Sequence, residues 1–442
     1  MVALEIPKLE DVLIGEIAES ADWVVANLDT SISWPVTSEK YVFAGDTFYL
    51  IPLTKDHYPA VAYKRQSEIL TDARSKLLRF LSTVSWAESA GALVASFTGG
   101  RLPRPNYREK TYGHVITGDL ALTYLPEAQD AKQWIALGLM REGRGLNHPA
   151  YAFLSFYRVL EAAMPDGKTR EKWVADNLDA IMDRGGQEAL DSLRASGIED
   201  VSTHLYKSGR MAIAHAKSDP IINPDDASDY ERIASELPVM RGLAELAIER
   251  VLGIKTSSTI YREHLYELAG FKARLGAARV AAVKAGKLPE EGEQIDLPEL
   301  DIELRKREPY PALRRMQPIH AAQVGSRIEL VYASADKLVQ FSFSLDLEAE
   351  RFVFDWSNDL SAGDDGSAAA ALHAAALTRF ILEYIGNGEL HIYDSKTRVL
   401  LSRVEAFLPV NYWADHERLD QEIEEWTAEA ARRVAKEKSD HT

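Results

Sequence analysis

The 442-residue chain contains no cysteine. That excludes disulfides, thiolate zinc sites, iron–sulfur clusters and a cysteine nucleophile, and it suits a reducing compartment, so a cytoplasmic location is expected. Long hydrophobic runs are lacking too. No stretch of about 18 uninterrupted apolar residues occurs, so no membrane span is expected. The N-terminal MVALEIPKLEDVLIGEI carries acids and lacks the basic flank of a secretory signal. Gly-x-Ser-x-Gly is absent, which removes the commonest hydrolase elbow. EGRGLN and FTGGR match neither the P-loop nor the dinucleotide fingerprint. The eleven histidines form no His-x3-His pattern, and acids do not cluster beside them, so neither a metal nor another cofactor is expected. Positive charge is scarce: the net charge is −17, which repels duplex nucleic acid unless basic residues gather locally. They do so only modestly, over residues 60–120 and in GFKARLGAARVAAVKAGK (270–287).

What the chain has is the balance of a folded protein, 46% hydrophobic and 27% charged. Its length exceeds one compact core, and the patterning predicts a multidomain α+β protein. Residues 1–123 read as an N-terminal α+β module, with a helix expected over 8–27, strands in TFYLIPLTKD and YPAVAYKR, and a strong amphipathic helix over 67–89. From 124 to 253 the spacing is helical, with segments 127–144, 150–164, 169–183, 187–196, 203–217 and 227–253 separated by short breaks. This is the pattern of an all-α helical bundle, and a basic helical extension carries it to 287. The polar, proline-marked residues 288–311 read as a linker. Residues 312–413 form an antiparallel-sheet-plus-helix module. RIELVYAS, KLVQFSFSL and RFVFDW alternate at period two, Ser367 or Asp365 opens a helix, and Gly386-Asn387-Gly388 closes it. An acidic helix over 414–442 carries a stripe of Leu419, Ile423, Trp426, Ala430 and Val434, suited to docking on this chain or on a partner protein.

Chemistry concentrates in the bundle. The helix AYAFLSFYRVLEAAMP places Phe153, Phe156, Tyr157, Leu160 and Met164 on one face, so it should lie at the centre, with Arg158 and Glu161 expected to form a buried pair. Further on, LYKSGRMAIAHAKSDP holds Arg210 and His215 five positions apart. At about 100° per residue these side chains stand roughly 140° apart on a regular helix. They share a site only if the helix is distorted near Gly209 or if two copies meet.

REGRGLNHPAYAFLSFYRVLE followed at this distance by RMAIAHA resembles a HEPN domain, most nearly the Apea-type and MauJ-like bacterial proteins, the latter associated with methylamine utilisation by gene context. The resemblance covers roughly 124–253. It implies a helical bundle that forms a homodimer, in which two Arg-x4–6-His motifs meet in a cleft that cuts RNA without a metal. On that reading His215 is general acid or base and Arg210 holds the scissile phosphate, the RNA 2′-hydroxyl is the nucleophile, and Arg141, Arg144, Lys207 and Lys217 gather the substrate. A homodimeric endoribonuclease of stress or phage defence follows as the expectation. Active relatives often carry a polar residue directly after the arginine, and this chain has Met211. The alternative is a catalytically silent scaffold that binds a partner protein or a nucleotide, or an accessory protein of methylamine utilisation. In structural terms that alternative has Arg210 pairing a neighbouring acid and His215 satisfied at a helix interface.

Overall fold

The structure, a computed structural model, describes residues 7–107, 125–215, 220–223, 226–288, 296–304, 310–405 and 415–440. The chain divides into two compact units, Met1–Ser257 and Ser258–Thr442.

The first unit begins with a short helix α1 (Leu9–Val12) and a 3-10 turn (Gly15–Ala18). Strands β1 (Trp23–Thr30), β2 (Glu39–Phe43), β3 (Asp46–Ile51), β4 (Ala60–Lys64) and β5 (Ala92–Gly100) form an antiparallel sheet of order β2-β3-β4-β1-β5. The helix expected over 8–27 is therefore only partly present. WVVANL, with β-branched Val24 and Val25 after an aromatic Trp23, is buried on both faces, and it pairs with β4 and β5 instead of continuing a helix. Val24, Ala26 and Leu28 point to one core while Trp23 and Val25 point to the other. Helix α2 (Leu70–Ala87) covers the first of these faces with Ala73, Leu77, Phe80, Leu81 and Val84, an i, i+4, i+7, i+8, i+11 stripe.

The bundle follows as α3 (Ala131–Gly145), α4 (Pro149–Ala163), α5 (Gly167–Asn177), α6 (Arg184–Ala195), α7 (Val201–His204), a π-helical turn (Leu205–Met211), α8 (Ala212–Ala214) and α9 (Ala227–Arg250). Aspartates open α3, α5, α6, α7 and α9. Asp130, Asp166, Asp183, Asp200 and Asp226 each accept a hydrogen bond from a first-turn backbone N–H, a cap worth about 1 kcal/mol over alanine. Helix α4 instead starts with Pro149 in its first turn. It is the central helix: Phe153, Phe156, Val159 and Leu160 are buried, and α3 and α9 pack on it.

The second unit carries α10 (Ser257–Arg262), α11 (Ala269–Leu275) and α12 (Ala277–Lys284), then two sheets. Strands β7 (Gln317–Val324), β8 (Arg327–Ala333), β9 (Val339–Asp346) and β10 (Arg351–Val353) run in the order β10-β9-β8-β7, with β11 (Leu360–Ala362) also on β9. Strand β6 (Leu300–Leu304), inside the expected linker, pairs with β12 (Glu389–Asp394), which pairs with β13 (Leu400–Glu405). The proline-marked approach hid it, but Leu300, Ile302 and Leu304 alternate into the core. Helix α13 (Ala368–Asn387) is capped by Ser367, whose Oγ accepts from Ala370 N at 3.1 Å, and by Gly388 at φ 68°. Residues Ala368–Gly386 are long and apolar enough to cross a membrane by length and composition, although His373, Arg379 and Glu383 interrupt the apolar run. Leu377, Phe380 and Tyr384 of α13 pack into the second core, and α14 (His416–Asp440) lies along it. The stripe on α14 thus meets this chain: Ile423 and Ala430 are buried and Leu419 and Trp426 partly so.

Candidate functional site

The segment bearing Arg210 and His215 is not a regular helix. Its π turn wraps Gly209 against Phe153 of α4, so closely that a Cβ at residue 209 would fall 2.4 Å from the ring's Cζ. Only glycine lets the backbone seat on that ring. A π turn leaves carbonyls misaligned with the α ladder. One of them, Ser208 O, accepts from Arg232 Nη2 of α9 at 2.9 Å. Arg232 in turn reaches the buried Glu236 at 2.9 Å, and Glu236 Oε1 also meets His204 Nε2 at 2.9 Å. The turn is therefore held from α4 by packing and from α9 by charge.

Arg210 faces α4. Its Nε and Nη2 both lie 3.2 Å from Glu161 Oε1, and its Nη1 lies 3.2 Å from Met211 Sδ. Both partners of the ion pair are about one-quarter to one-third exposed. Glu161 was expected to pair with Arg158, three positions earlier on α4, but Arg158 is solvent-exposed and the arginine of the π turn takes the carboxylate. His215 ends α8 with extended backbone (φ −130°, ψ 108°), and its side chain is exposed. No hydrogen bond joins it to Arg210 among the described residues.

The other expected site residues fall into three groups. Lys207 is exposed on the π turn, three residues before Arg210. Arg141 and Arg144 are drawn into the fold. Arg144 Nη1 donates to Ser85 O at 2.6 Å, Nη2 meets Glu245 at 3.0 Å, and the guanidinium lies over the Trp86 ring. Arg141 meets Glu142 at 2.5 Å, while its Nε and Nη1 are buried without a partner. Burial pushes the pKa of both guanidiniums down from the ordinary arginine value. Lys217 lies outside the described residues. The fold thus sets Arg210 and Lys207 on one turn near His215, and turns Arg141 and Arg144 toward α2 and their own neighbours. Among the described residues no three His, Asp or Glu side chains converge to hold a metal ion.

A second polar constellation escaped the sequence reading. Along β12, Leu390 and Ile392 face the apolar core while Glu389, His391 and Tyr393 face the other way. His391 stands opposite Glu303 of β6 and Arg403 of β13. Its Nε2 bonds Glu389, which Arg403 also reaches at 3.0 Å. Arg398 spans Asp301 at 2.8 Å and Glu303 at 2.6 Å, and lies over the Tyr393 ring at 4.4 Å. Burial raises the pKa of Glu303 and lifts the Tyr393 hydroxyl to about 12. The alternation E-H-Y against L-I in ELHIYD was the available signal, and it needed the neighbouring strands to acquire meaning.

The family model described as "Methylamine utilization protein MauJ" matches residues 136–249, which spans the bundle from α3 to α9. No curated protein and no solved structure gave a match.

Proposed function

We propose that this protein is a MauJ-like accessory protein of methylamine utilisation, whose helical bundle binds a partner and does not cut RNA. The carrying observation is the Arg210–Glu161 ion pair. A phosphate-holding arginine must offer its fork to the substrate, and here one edge of the fork is already on a carboxylate of its own chain. Met211 occupies a further N–H of that guanidinium. Arg141 and Arg144 face inward, and the bundle segment 124–253 carries more acids than bases, so little cationic surface remains for RNA. The family match to residues 136–249 supports the same reading.

The exposure of His215 favours one alternative, a HEPN-type homodimer in which two such histidines act on RNA in a shared cleft. A complementation experiment separates the two. Disruption of the gene in its own host should slow growth on methylamine, and the wild-type and His215→Ala chains should restore it equally. Purified protein should leave single-stranded RNA intact in EDTA. RNA cleavage that disappears in His215→Ala would overturn the accessory reading, as would normal methylamine growth of the disrupted strain.

A further inference from the structure

A cavity of about 220 Å³ lies between α4, α5, the π turn and α9. Its floor is apolar, formed by Leu160, Val174, Met240 and Leu243, and its mouth carries Gly167, Lys168 and Glu171 at the start of α5. Arg170 stands at this wall although only 9% of it is exposed. Its Nη1 donates to Met164 O at 2.8 Å and Pro165 O at 3.4 Å, and its Nε donates to the Tyr157 hydroxyl at 3.4 Å. Its Nη2 has no acceptor among the described residues, and a Cβ at Gly167 on the mouth would stand 3.8 Å from it. A guanidinium so deeply placed, with one N–H pair unused beside an apolar cavity, is a half-built anion site.

We propose that this cavity binds a small organic monocarboxylate, with its carboxylate on Arg170 Nη2 and its hydrocarbon part on Leu160, Val174, Met240 and Leu243. Four features select that class. The volume lies below the ~300–1,000 Å³ that takes drug-sized ligands, so the ligand is a small metabolite. The apolar floor requires a hydrocarbon body. Lys168 and Arg170 set against Glu171 leave one net positive charge, which matches a monoanion and disfavours a dianionic phosphate. The Tyr157 hydroxyl, whose oxygen accepts from Arg170 Nε, has its O–H to offer as a hydrogen-bond donor to the second carboxylate oxygen. The inference does not rest on the accessory reading. The cavity also touches Leu205 and Tyr206 of the π turn, so an occupant would contact the turn that carries Arg210.

Isothermal titration of the full chain tests this with hexanoate, 3-phenylpropanoate, 3-phenylpropanamide and phenyl phosphate. At least one of the two carboxylates should bind, with the amide and the phosphate each weaker by about tenfold or more. Arg170→Gln should weaken carboxylate binding by about tenfold. Gly167→Leu, at an exposed position on the mouth, should do the same without altering the circular dichroism spectrum, and it decides the matter if Arg170→Gln fails to fold. The proposal is overturned if neither carboxylate binds at millimolar concentration, if the amide binds as well as the acid, if phenyl phosphate binds best, or if Gly167→Leu binds like the wild type.

Discussion

The same substitution, glycine to alanine, should act in opposite directions at two positions of the bundle. At Gly138, in the middle of α3, an added Cβ meets nothing within 4 Å. The alanine there gains helix propensity and restricts the unfolded chain, a stabilisation of about 0.5–1 kcal/mol. At Gly209 the added Cβ lies 2.4 Å from Phe153 Cζ and 2.7 Å from Cε1. Phe153 is fully buried, and its neighbour Phe156 is itself seated against Gly143, where a Cβ would stand 2.4 Å from that ring. The fully buried Phe153 ring cannot turn out to solvent, so the ring, α4 or the π turn must shift within the packed core. Overpacking of this kind costs about 1–3 kcal/mol. With so short an approach the upper part of that range applies, so Gly209→Ala should lose about 1–2.5 kcal/mol after the propensity gain is subtracted. For a unit of this size each kcal/mol moves the melting temperature by about 2–4 °C. Urea unfolding followed by far-ultraviolet circular dichroism should place the Gly209→Ala midpoint below the wild type and the Gly138→Ala midpoint above it, with unchanged slopes. A Gly209→Ala midpoint at or above that of the wild type would refute the claim that only glycine lets the π turn seat on Phe153.

Three further outcomes rest on buried cations and ion pairs elsewhere in the chain. Arg144→Met should cost about 2–4 kcal/mol in calorimetric unfolding, because Ser85 O and Glu245 lose a charged donor, whereas Arg141→Met should be neutral or stabilising, since Arg141 buries two N–H groups without partners. Glu236→Gln should destabilise the first unit by about 1–3 kcal/mol, read as a lower urea midpoint, because the buried carboxylate accepts from both Arg232 and His204. The Arg433 guanidinium holds the Asp364 carboxyl at about 2, well below the ordinary aspartate range. A carboxyl depressed on folding contributes stability above its unfolded value, and that contribution is lost as pH falls from about 4 towards 2. The Trp426 emission of α14 should therefore change over that window in the wild type, and the change should be smaller in Arg433→Ala.

The helices of the bundle were legible because their signals are local. Each aspartate cap sits within four residues of the backbone N–H that it satisfies, and the apolar stripes repeat within one element. Ser367 and Gly388 bounded α13 for the same reason. What failed was set by distant partners. WVVANL became β1 because β4 and β5 flank it, and LDIEL became β6 because β12 lies beside it. Each of these strands is buried only through a neighbour far along the chain, so a single-segment reading has no access to its context.

The candidate site divides in the same way. That Arg210 and His215 could not share one face of a regular helix was a matter of angle, and Gly209 marked where the angle would break. The partner of Arg210 was not predictable by spacing, because Glu161 has its own candidate three residues away in Arg158. The choice was made by tertiary placement: Arg158 points to solvent, while the Phe153–Gly209 contact seats the π turn on α4 and its arginine reaches the Glu161 carboxylate. The glycine that breaks the helix thus also brings Arg210 within reach of α4. If that coupling holds, Glu161→Gln should leave the stability of the first unit within about 1 kcal/mol of the wild type, since the pair is partly exposed. The same variant should free the arginine and raise the salt-sensitive affinity of the bundle for a single-stranded RNA oligonucleotide. Unchanged RNA affinity in Glu161→Gln would mean that the ion pair does not restrain Arg210, and the main argument against a phosphate-holding role would fall with it.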